Sequence, residues 1–205
     1  MKKTIHITLI TIFALLLFSC GKEKKTENKE VAATLYTIDA GKSTMQWTAY
    51  KTTDKLPVKG TFTEIEIQKS IDGSSAAGAL DGMEFEIPVN SIFSNDTIRD
   101  AKLGKFFFDV MENTMSLKGV FSVEDEGKGK LALTMNGMTR DLPFDYTMSQ
   151  DTILVKATMD LNNWEAQTAL ESLHKACYEL HKGPDGVSKT WDEVGISAKI
   201  LTRQK

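Results

Sequence analysis

Cysteine, histidine and proline are scarce in this sequence, with two, three and four copies among 205 residues. If Cys20 is modified, as inferred below, Cys177 is left without a disulfide partner in the chain. Neither a Gly-x-Ser-x-Gly nucleophile motif nor a His-Glu-x-x-His metal motif occurs. His6 falls in a segment predicted to be removed, so only His174 and His181 remain for acid–base work. The sequence therefore predicts a protein that is not an enzyme and needs no cofactor.

An excess of positive charge is also missing. Lys and Arg number 25 against 28 Asp and Glu, which gives a net charge of −3. Lys2 and Lys3 are the only charged residues among the first 19, so removal of that segment would shift the net charge from −3 to −5. Without a broad basic surface, nucleic acid is not an expected partner.

The longest apolar run is short. It occupies residues 5–18, contains three polar residues and follows Lys2 and Lys3. A spanning helix needs about 20 consecutive apolar residues, so a retained transmembrane helix is not expected. A basic start, a short apolar run and a small residue at Ser19 are typical of a secretory signal. We therefore predict that residues 1–19 are a signal peptide.

The signal ends in a motif of its own. Leu17-Phe18-Ser19-Cys20 resembles the lipobox of bacterial lipoproteins, in which the cysteine is alkylated with diacylglycerol and the chain is cut before it. Acyl chains contribute about 0.8 kcal/mol per buried methylene, so two or more of them anchor a protein stably. The resemblance implies lipidation at Cys20 and membrane attachment through acyl chains. The alternative is an ordinary signal peptide that happens to end at a cysteine.

The residues after the motif predict a tether and a location. Residues 20–33 contain almost nothing to bury, which is typical of a flexible linker. Gly21 stands where some bacteria use an Asp to retain lipoproteins at the inner membrane. We therefore expect a protein of the cell envelope, with the outer membrane favoured and the domain facing either the periplasm or the cell surface.

From Leu35 onward, apolar and polar residues alternate with a period of two, which predicts strands with one face toward a core. Asn136-Gly137 predicts a tight hairpin turn because both residues tolerate positive φ. Eight segments carry the apolar parity: Met45, Trp47, Ala49; Phe62, Ile65, Ile67, with a phase slip near Glu64; Met83, Phe85, Ile87, Val89; Met115, Leu117, Phe121, Val123; Leu131, Leu133, Met135; Leu142, Phe144, Tyr146, Met148; Ile153, Val155, Ala157, Met159, Leu161; and Val194, Ile196, Ala198, Ile200.

Two stretches interrupt the strands. Asp96 is a candidate cap for a short helical turn through Leu103, and residues 164–181 lack Gly and Pro until Gly183-Pro184. Consecutive antiparallel strands close most simply into a barrel, which removes exposed edges. The expected fold of residues 34–205 is therefore all-β, an eight-stranded antiparallel barrel with one longer helix and a short helical turn. Such a barrel is either filled by its own side chains or holds one small ligand, and periodicity does not decide between the two.

Four stretches of the chain form recognisable motifs: Tyr36-Thr37-Ile38-Asp39 with Ser43, Gly60-Thr61-Phe62, residues 91–109 (SIFSNDTIRDAKLGKFFFD) and residues 133–140 (LTMNGMTR). Together they resemble the YceI-like family of secreted lipid-binding proteins. Their order and spacing agree over nearly the whole chain after residue 35. The resemblance implies a lipocalin-like barrel whose long apolar interior binds a polyisoprenoid or quinone-like chain without catalysis. The chain departs from the family at Lys102, where the family has His, in the helical stretch 164–181, and in the anchor at Cys20.

Aromatic residues are the candidates for lining such a lipid site, because burial of apolar area contributes roughly 25 cal/mol per Å². The alternative is that they simply fill the barrel. Arg99 and Asp100 could pair at the mouth and leave Lys102 to meet a polar head group, although an ordinary surface ion pair is the commoner arrangement. The candidate lipid-binding residues are Trp47, Phe62, Phe85, Phe106, Phe107, Phe108, Phe121, Phe144 and Trp164.

A rival hypothesis rests on His174, Cys177 and His181, which fall on one face of the predicted helix. Imidazole and thiolate are ligands for zinc or copper, which would make a metal- or redox-linked protein. No carboxylate at a suitable spacing completes the site, so no metal ligand is predicted. A third possibility is a filled barrel that acts as an anchored interaction module. The sequence predicts no oligomeric state.

Overall fold

The computed structural model describes residues 34–205. The signal peptide, the lipidated Cys20 and the tether predicted above lie outside these residues. The strands are β1 (Tyr36–Lys51), β2 (Leu56–Phe62), β3 (Glu66–Lys69), β4 (Glu84–Pro88), β5 (Ile92–Phe93), β6 (Ser116–Asp125), β7 (Lys128–Met135), β8 (Met138–Ser149), β9 (Thr152–Asp160) and β10 (Glu193–Gln204). The helices are α1 (Ala76–Leu80), α2 (Thr97–Phe106) and α3 (Gln167–Ala176).

The strands form one curled antiparallel sheet, a half-barrel with the order β3-β4-β6-β7-β8-β9-β10-β1-β2-β5. The count is ten because the second of the eight predicted strands is divided into β2 and β3, and the two-residue strand β5 follows β4 after a 3₁₀ turn at Val89–Ser91. β2 pairs with β5 and β3 pairs with β4, and between these ladders the Thr63 N–H donates to the Ser91 carbonyl at 2.8 Å. The interruption between β2 and β3 coincides with the phase slip predicted near Glu64.

Side chains on the strands alternate between a buried and a more exposed face, as the period of two predicts. On β7, Leu131, Leu133 and Met135 are buried, and β8 buries Leu142 and Phe144 opposite them. Met115 is an exception to the predicted inward parity. Its side chain is 86% exposed because the residue precedes β6 and lies in the loop before the ladder begins.

The hairpin between β7 and β8 turns at Asn136 and Gly137, with φ of 51° and 70°. Positive φ at both central residues matches the twist of the flanking strands, which confirms the predicted turn. The Asn136 side chain also holds neighbouring loops: Oδ1 accepts from the Glu112 N–H at 2.8 Å, and Nδ2 donates to the Trp164 carbonyl at 2.8 Å.

The helices differ in how well their sequence predicts them. Asp96 caps α2 as expected, since Oδ1 accepts from the Arg99 N–H at 3.0 Å, and the helix extends beyond Leu103. The prediction of one helix over residues 164–181 is wrong. The stretch is divided into a 3₁₀ turn, α3 and a second 3₁₀ turn at Tyr178–His181. Glu165 adopts a left-handed φ of 52° that ends the first turn. No helix among residues 34–205 is long and apolar enough to cross a bilayer.

Candidate functional site

The interior of the sheet encloses a long cavity. Its volume is about 190 Å³. Along β10 its wall is formed in turn by Val194, Ile196, Ala198 and Ile200. At about 3.3 Å per residue, these four side chains alone span roughly 20 Å. The side chains of the half-barrel therefore leave an open space along its strands.

The lining of the cavity is apolar. Among the described residues that form it, only Ser43, Thr44 and Thr190 are polar and none is charged. The Ser43 hydroxyl is already engaged, donating to the Asp39 carbonyl at 2.9 Å and accepting from the Leu201 N–H at 3.2 Å. Because an unpaired polar group would be costly in such a space, the cavity suits a hydrocarbon chain rather than a polar solute.

Three of the lining aromatics face glycines across the sheet. Trp47 lies opposite Gly60, Phe85 opposite Gly119, and Phe144 opposite Gly129. A β-carbon on any of these glycines would overlap the aromatic ring that faces it. Each ring therefore lies over the backbone of the neighbouring strand instead of projecting into the lumen. This arrangement explains how a barrel so rich in aromatic residues keeps an open interior.

The structure brings seven of the nine candidate lipid-binding residues to the cavity. Phe106 is placed elsewhere: it borders a shallow groove between α2 and α3, with Lys105 Nζ 5.3 Å from its ring centroid. Trp164 is fully buried outside the lining, and its Nε1 donates to the Leu133 carbonyl at 2.9 Å. The candidates that line the cavity are Trp47, Phe62, Phe85, Phe107, Phe108, Phe121 and Phe144.

The predicted pairing of Arg99 with Asp100 is wrong. Adjacent residues on a helix point in different directions, whereas residues three apart face each other. Arg99 Nη2 lies 3.2 Å from Asp96 Oδ2, and Asp100 Oδ1 instead accepts from the Ser94 backbone N–H at 2.9 Å. Lys102 forms no ion pair among the described residues, and its ammonium donates to the Ala176 carbonyl at 3.4 Å, which leaves two of its three N–H donors available.

A polar cluster adjoins the cavity where α3 and the following loop meet β1. His174 Nδ1 lies 3.0 Å and His181 Nδ1 2.6 Å from the Thr190 hydroxyl. A hydroxyl has one proton to donate, so one imidazole accepts from Thr190 and the other donates to it. Thr190 is also part of the cavity lining. We call the following set the Thr190 cluster: Lys51, Lys102, His174, Cys177, His181 and Thr190.

Electrostatics set the protonation states in this cluster. Burial lowers the pKa of His181 to about 4, and the charges of Lys51, His174 and Lys102 act in the same direction. Burial raises the pKa of the Cys177 thiol, although the two lysines oppose that effect. At neutral pH the His181 imidazole and the Cys177 thiol are therefore uncharged. Within residues 34–205, no three His, Cys, Asp or Glu side chains are grouped to hold a metal ion.

Sequence reasoning missed Lys51, Thr190 and Trp191 as parts of the site. Lys51 carried a usable signal, because it continues the inward parity of Met45, Trp47 and Ala49 at the end of a strand. Trp191 lines the cavity, and its Nε1 donates to the Thr52 carbonyl at 2.8 Å. Thr190 and Trp191 follow a turn with no periodicity, so only the tertiary structure places them.

The YceI-like domain model matches residues 36–200 of the chain. The chain belongs to the YceI-like family. The resemblance of the sequence motifs is thereby confirmed, and with it the all-β lipocalin-like architecture. A search among curated proteins finds no significant sequence match.

Two solved structures share the YceI-like fold with this chain. One is a polyisoprenoid-binding domain from Saccharophagus degradans implicated in plant cell wall breakdown, with 13% identity, a TM-score of 0.58, and coverage of 83% of this chain and 98% of that one. The other is BcnA from Burkholderia cenocepacia, with 18% identity, a TM-score of 0.54, and coverage of 81% and 99%. At these identities the likeness shows the fold.

Proposed function

We propose that this YceI-like protein binds a long apolar lipid, a polyisoprenoid or quinone-like chain, inside its cavity without catalysis. The observation that carries the proposal is the cavity itself, which extends along the strands and has no charged lining residue in the described chain. At roughly 25 cal/mol per Å² of apolar area, a chain of several isoprene units gains enough to offset the entropy of association. No hydrogen bond to the hydrocarbon is needed.

A polyisoprenoid ligand also agrees with the comparisons. The Saccharophagus degradans domain of the same fold is a polyisoprenoid-binding domain. Branched isoprene units suit the mixture of flat aromatic surfaces and aliphatic side chains along this wall, such as Phe85 beside Leu131. The family and the lining thus favour the same class of ligand.

We further propose that the protein is a lipoprotein of the cell envelope, anchored through acyl chains on Cys20. The tether of residues 21–33 can reach about 45 Å when extended. It enters the domain beside the C-terminus, where the Lys205 N–H donates to the Leu35 carbonyl at 2.9 Å. Mass spectrometry of the N-terminal peptide tests this part: a diacylglyceryl cysteine is expected, and Cys20→Ser should release the protein from membranes. An unmodified Cys20 in the mature protein would contradict it.

The binding proposal is tested by mass spectrometry of an organic extract of the protein purified from its native host. A near-stoichiometric isoprenoid or quinone-like lipid is expected. Acyl chains on Cys20 do not contribute to the extract because they are covalently attached.

A matched pair of variants sharpens this test. Ala157 lines the cavity, and Ala157→Phe should fill it and remove the lipid. Ala132 lies on the opposite parity of β7, so Ala132→Phe adds the same ring outside the lumen and should retain the lipid. Folded wild-type protein without lipid above background, or equal lipid in both variants, would exclude the proposed function.

A further inference from the structure

The two lysines of the Thr190 cluster hold unused hydrogen-bonding capacity. Lys51 Nζ donates to the Leu180 carbonyl and Lys102 Nζ to the Ala176 carbonyl, each at 3.4 Å. An ammonium has three donors, and 3.4 Å is long for a hydrogen bond. Neither lysine forms an ion pair with a carboxylate among the described residues. Both are partly buried, so solvent screens their charges less than on an open surface.

Three acidic residues of this region are engaged with other cations. Glu179 pairs with Lys182 at 2.8 Å, and Glu193 pairs with Lys55 at 2.9 Å. The charge of Lys102 also reaches Asp96, but that carboxylate is occupied by Arg99. The charges that act on Cys177 and His181 come from Lys51, Lys102 and His174, and no carboxylate of the described chain is among them.

The cluster is connected to the cavity through Thr190 and its neighbour Trp191, which both belong to the lining. Lys51 pairs across the backbone with Thr190, and the Thr52 N–H donates to the Lys189 carbonyl at 2.9 Å. The Thr52 hydroxyl is buried without a hydrogen-bond partner, and it is the only such buried side-chain atom in the described chain. A polar head group at this corner would stay attached to a tail inside the barrel.

We propose that Lys51 and Lys102, together with His174 and His181 around Thr190, form an anion-binding site for the head group of the lipid in the cavity. The inference rests on the proposed function and narrows it: the ligand carries a phosphate or carboxylate at one end. Charge-assisted hydrogen bonds from two ammonium groups are the interactions that recognise such a head. The neutral His181 imidazole supplies a hydrogen bond without adding charge.

A structural role for the same lysines makes a different prediction. Cations near the last carbonyls of a helix stabilise its C-terminus. Lys102 donates to the Ala176 carbonyl at the end of α3, and Lys51 donates to the Leu180 carbonyl in the 3₁₀ turn that follows. If this were their only role, their removal would weaken the helix and affect every ligand equally. Lys175 lies in the last turn of α3 but outside the cluster, so Lys175→Gln controls for the helix effect.

The test compares geranylgeranyl phosphate with geranylgeraniol, which has the same tail and a neutral head. The full chain is kept in one non-ionic detergent, and Kd is measured from tryptophan fluorescence. We expect the phosphate to bind the wild type more tightly, and the Lys51→Gln/Lys102→Gln variant to lose roughly tenfold or more of the affinity for the phosphate alone. Lys175→Gln should keep the preference. For each ligand, the Kd of the variant is divided by the Kd of the wild type, because the partitioning of that ligand into detergent then cancels.

Palmitate and hexadecanol, compared in the same way, decide whether a carboxylate is accepted as well as a phosphate. NMR of the wild type gives a readout that needs no variant: the phosphate should raise the pKa of His181 and the alcohol should not. Equal affinity for the charged and neutral members of both pairs, or a preference that survives the double substitution, overturns the head-group site and leaves lipid binding intact. If the folded protein binds neither the phosphate nor the alcohol, the proposed function fails with it.

Discussion

The strand wall and the helical end of the cavity are built on different principles. In the strand wall, formed by the lining side chains of the strands, aromatic rings lie over glycines and no charge is present among the described residues. In the helical end, formed by α2, α3 and the loop from 182 to 192, lysines and histidines meet around Thr190. The strand wall is an apolar surface, whereas the helical end consists of polar groups in fixed orientations. Together they suit a molecule with a long tail and a small head.

Among substitutions that distinguish the two regions, replacement of a tryptophan is expected to change the free energy of unfolding most. Trp164, next to α3, is fully buried and hydrogen-bonded, so Trp164→Ala should cost about 3–5 kcal/mol of the free energy of unfolding. Trp47 borders empty space, and Trp47→Ala should cost clearly less. Urea denaturation of both variants measures the difference. Equal losses would mean that the cavity wall is packed as tightly as the rest of the core.

An intermediate effect, of opposite sign in the two regions, is expected from glycine substitutions. At Gly119 in the strand wall a β-carbon would lie 2.8 Å from Leu131 Cδ1 and closer still to the Phe85 ring. Gly119→Ala should therefore destabilise by about 1–3 kcal/mol and push the ring into the lumen. At Gly104 in α2 the β-carbon meets nothing within 4 Å, so Gly104→Ala should stabilise by about 0.5–1 kcal/mol. Thermal unfolding of the two variants checks both signs.

The smallest effect is a pH dependence that belongs to the helical end alone. The folded pKa of His181, about 4, lies below the value of about 6.5 in an unfolded chain. Between these values the unfolded chain binds more protons, so the contribution of His181 is fully present above about pH 6.5 and is lost as the pH falls toward 4. The charges of Lys51, His174 and Lys102 also lower the pKa of His181, in addition to burial.

The matching variant is His181→Gln, which keeps a polar side chain but does not titrate. Its urea midpoint should fall less than that of the wild type between pH 7 and pH 5. Parallel curves for the two proteins would show that His181 titrates alike in the folded and unfolded states.

The strand wall could be predicted in outline because strand periodicity is local. The alternation of Leu131, Leu133 and Met135 within five residues is enough to predict which face of β7 is buried. The open lumen could not be predicted in this way, since periodicity gives the face of a side chain but not the volume left between faces. The pairing of Phe85 with Gly119 requires the register of two strands that are more than 30 residues apart in the chain.

The sequence predicts the helical end less well because the geometry of this region depends on contacts between distant segments. Residues 164–181 have helical character in the sequence, but nothing local predicts the left-handed Glu165 that ends the first 3₁₀ turn. Asp96 is recognisable as a cap, and the i, i+3 rule also makes it the partner of Arg99. The position of Lys102 beside Ala176 depends on how α2 packs on α3, which a single sequence does not reveal.

The three glycines opposite Trp47, Phe85 and Phe144 have a consequence for evolution as well as for shape. Because each glycine leaves room for one ring, a single substitution of that glycine displaces the ring and changes the width of the cavity, while the strands and their pairing stay in place. Two of the three, Gly119 and Gly129, lie on neighbouring strands of the same wall. Members of one family could therefore diverge in the girth of the lipid they accept by few mutations, with no need to rebuild the barrel.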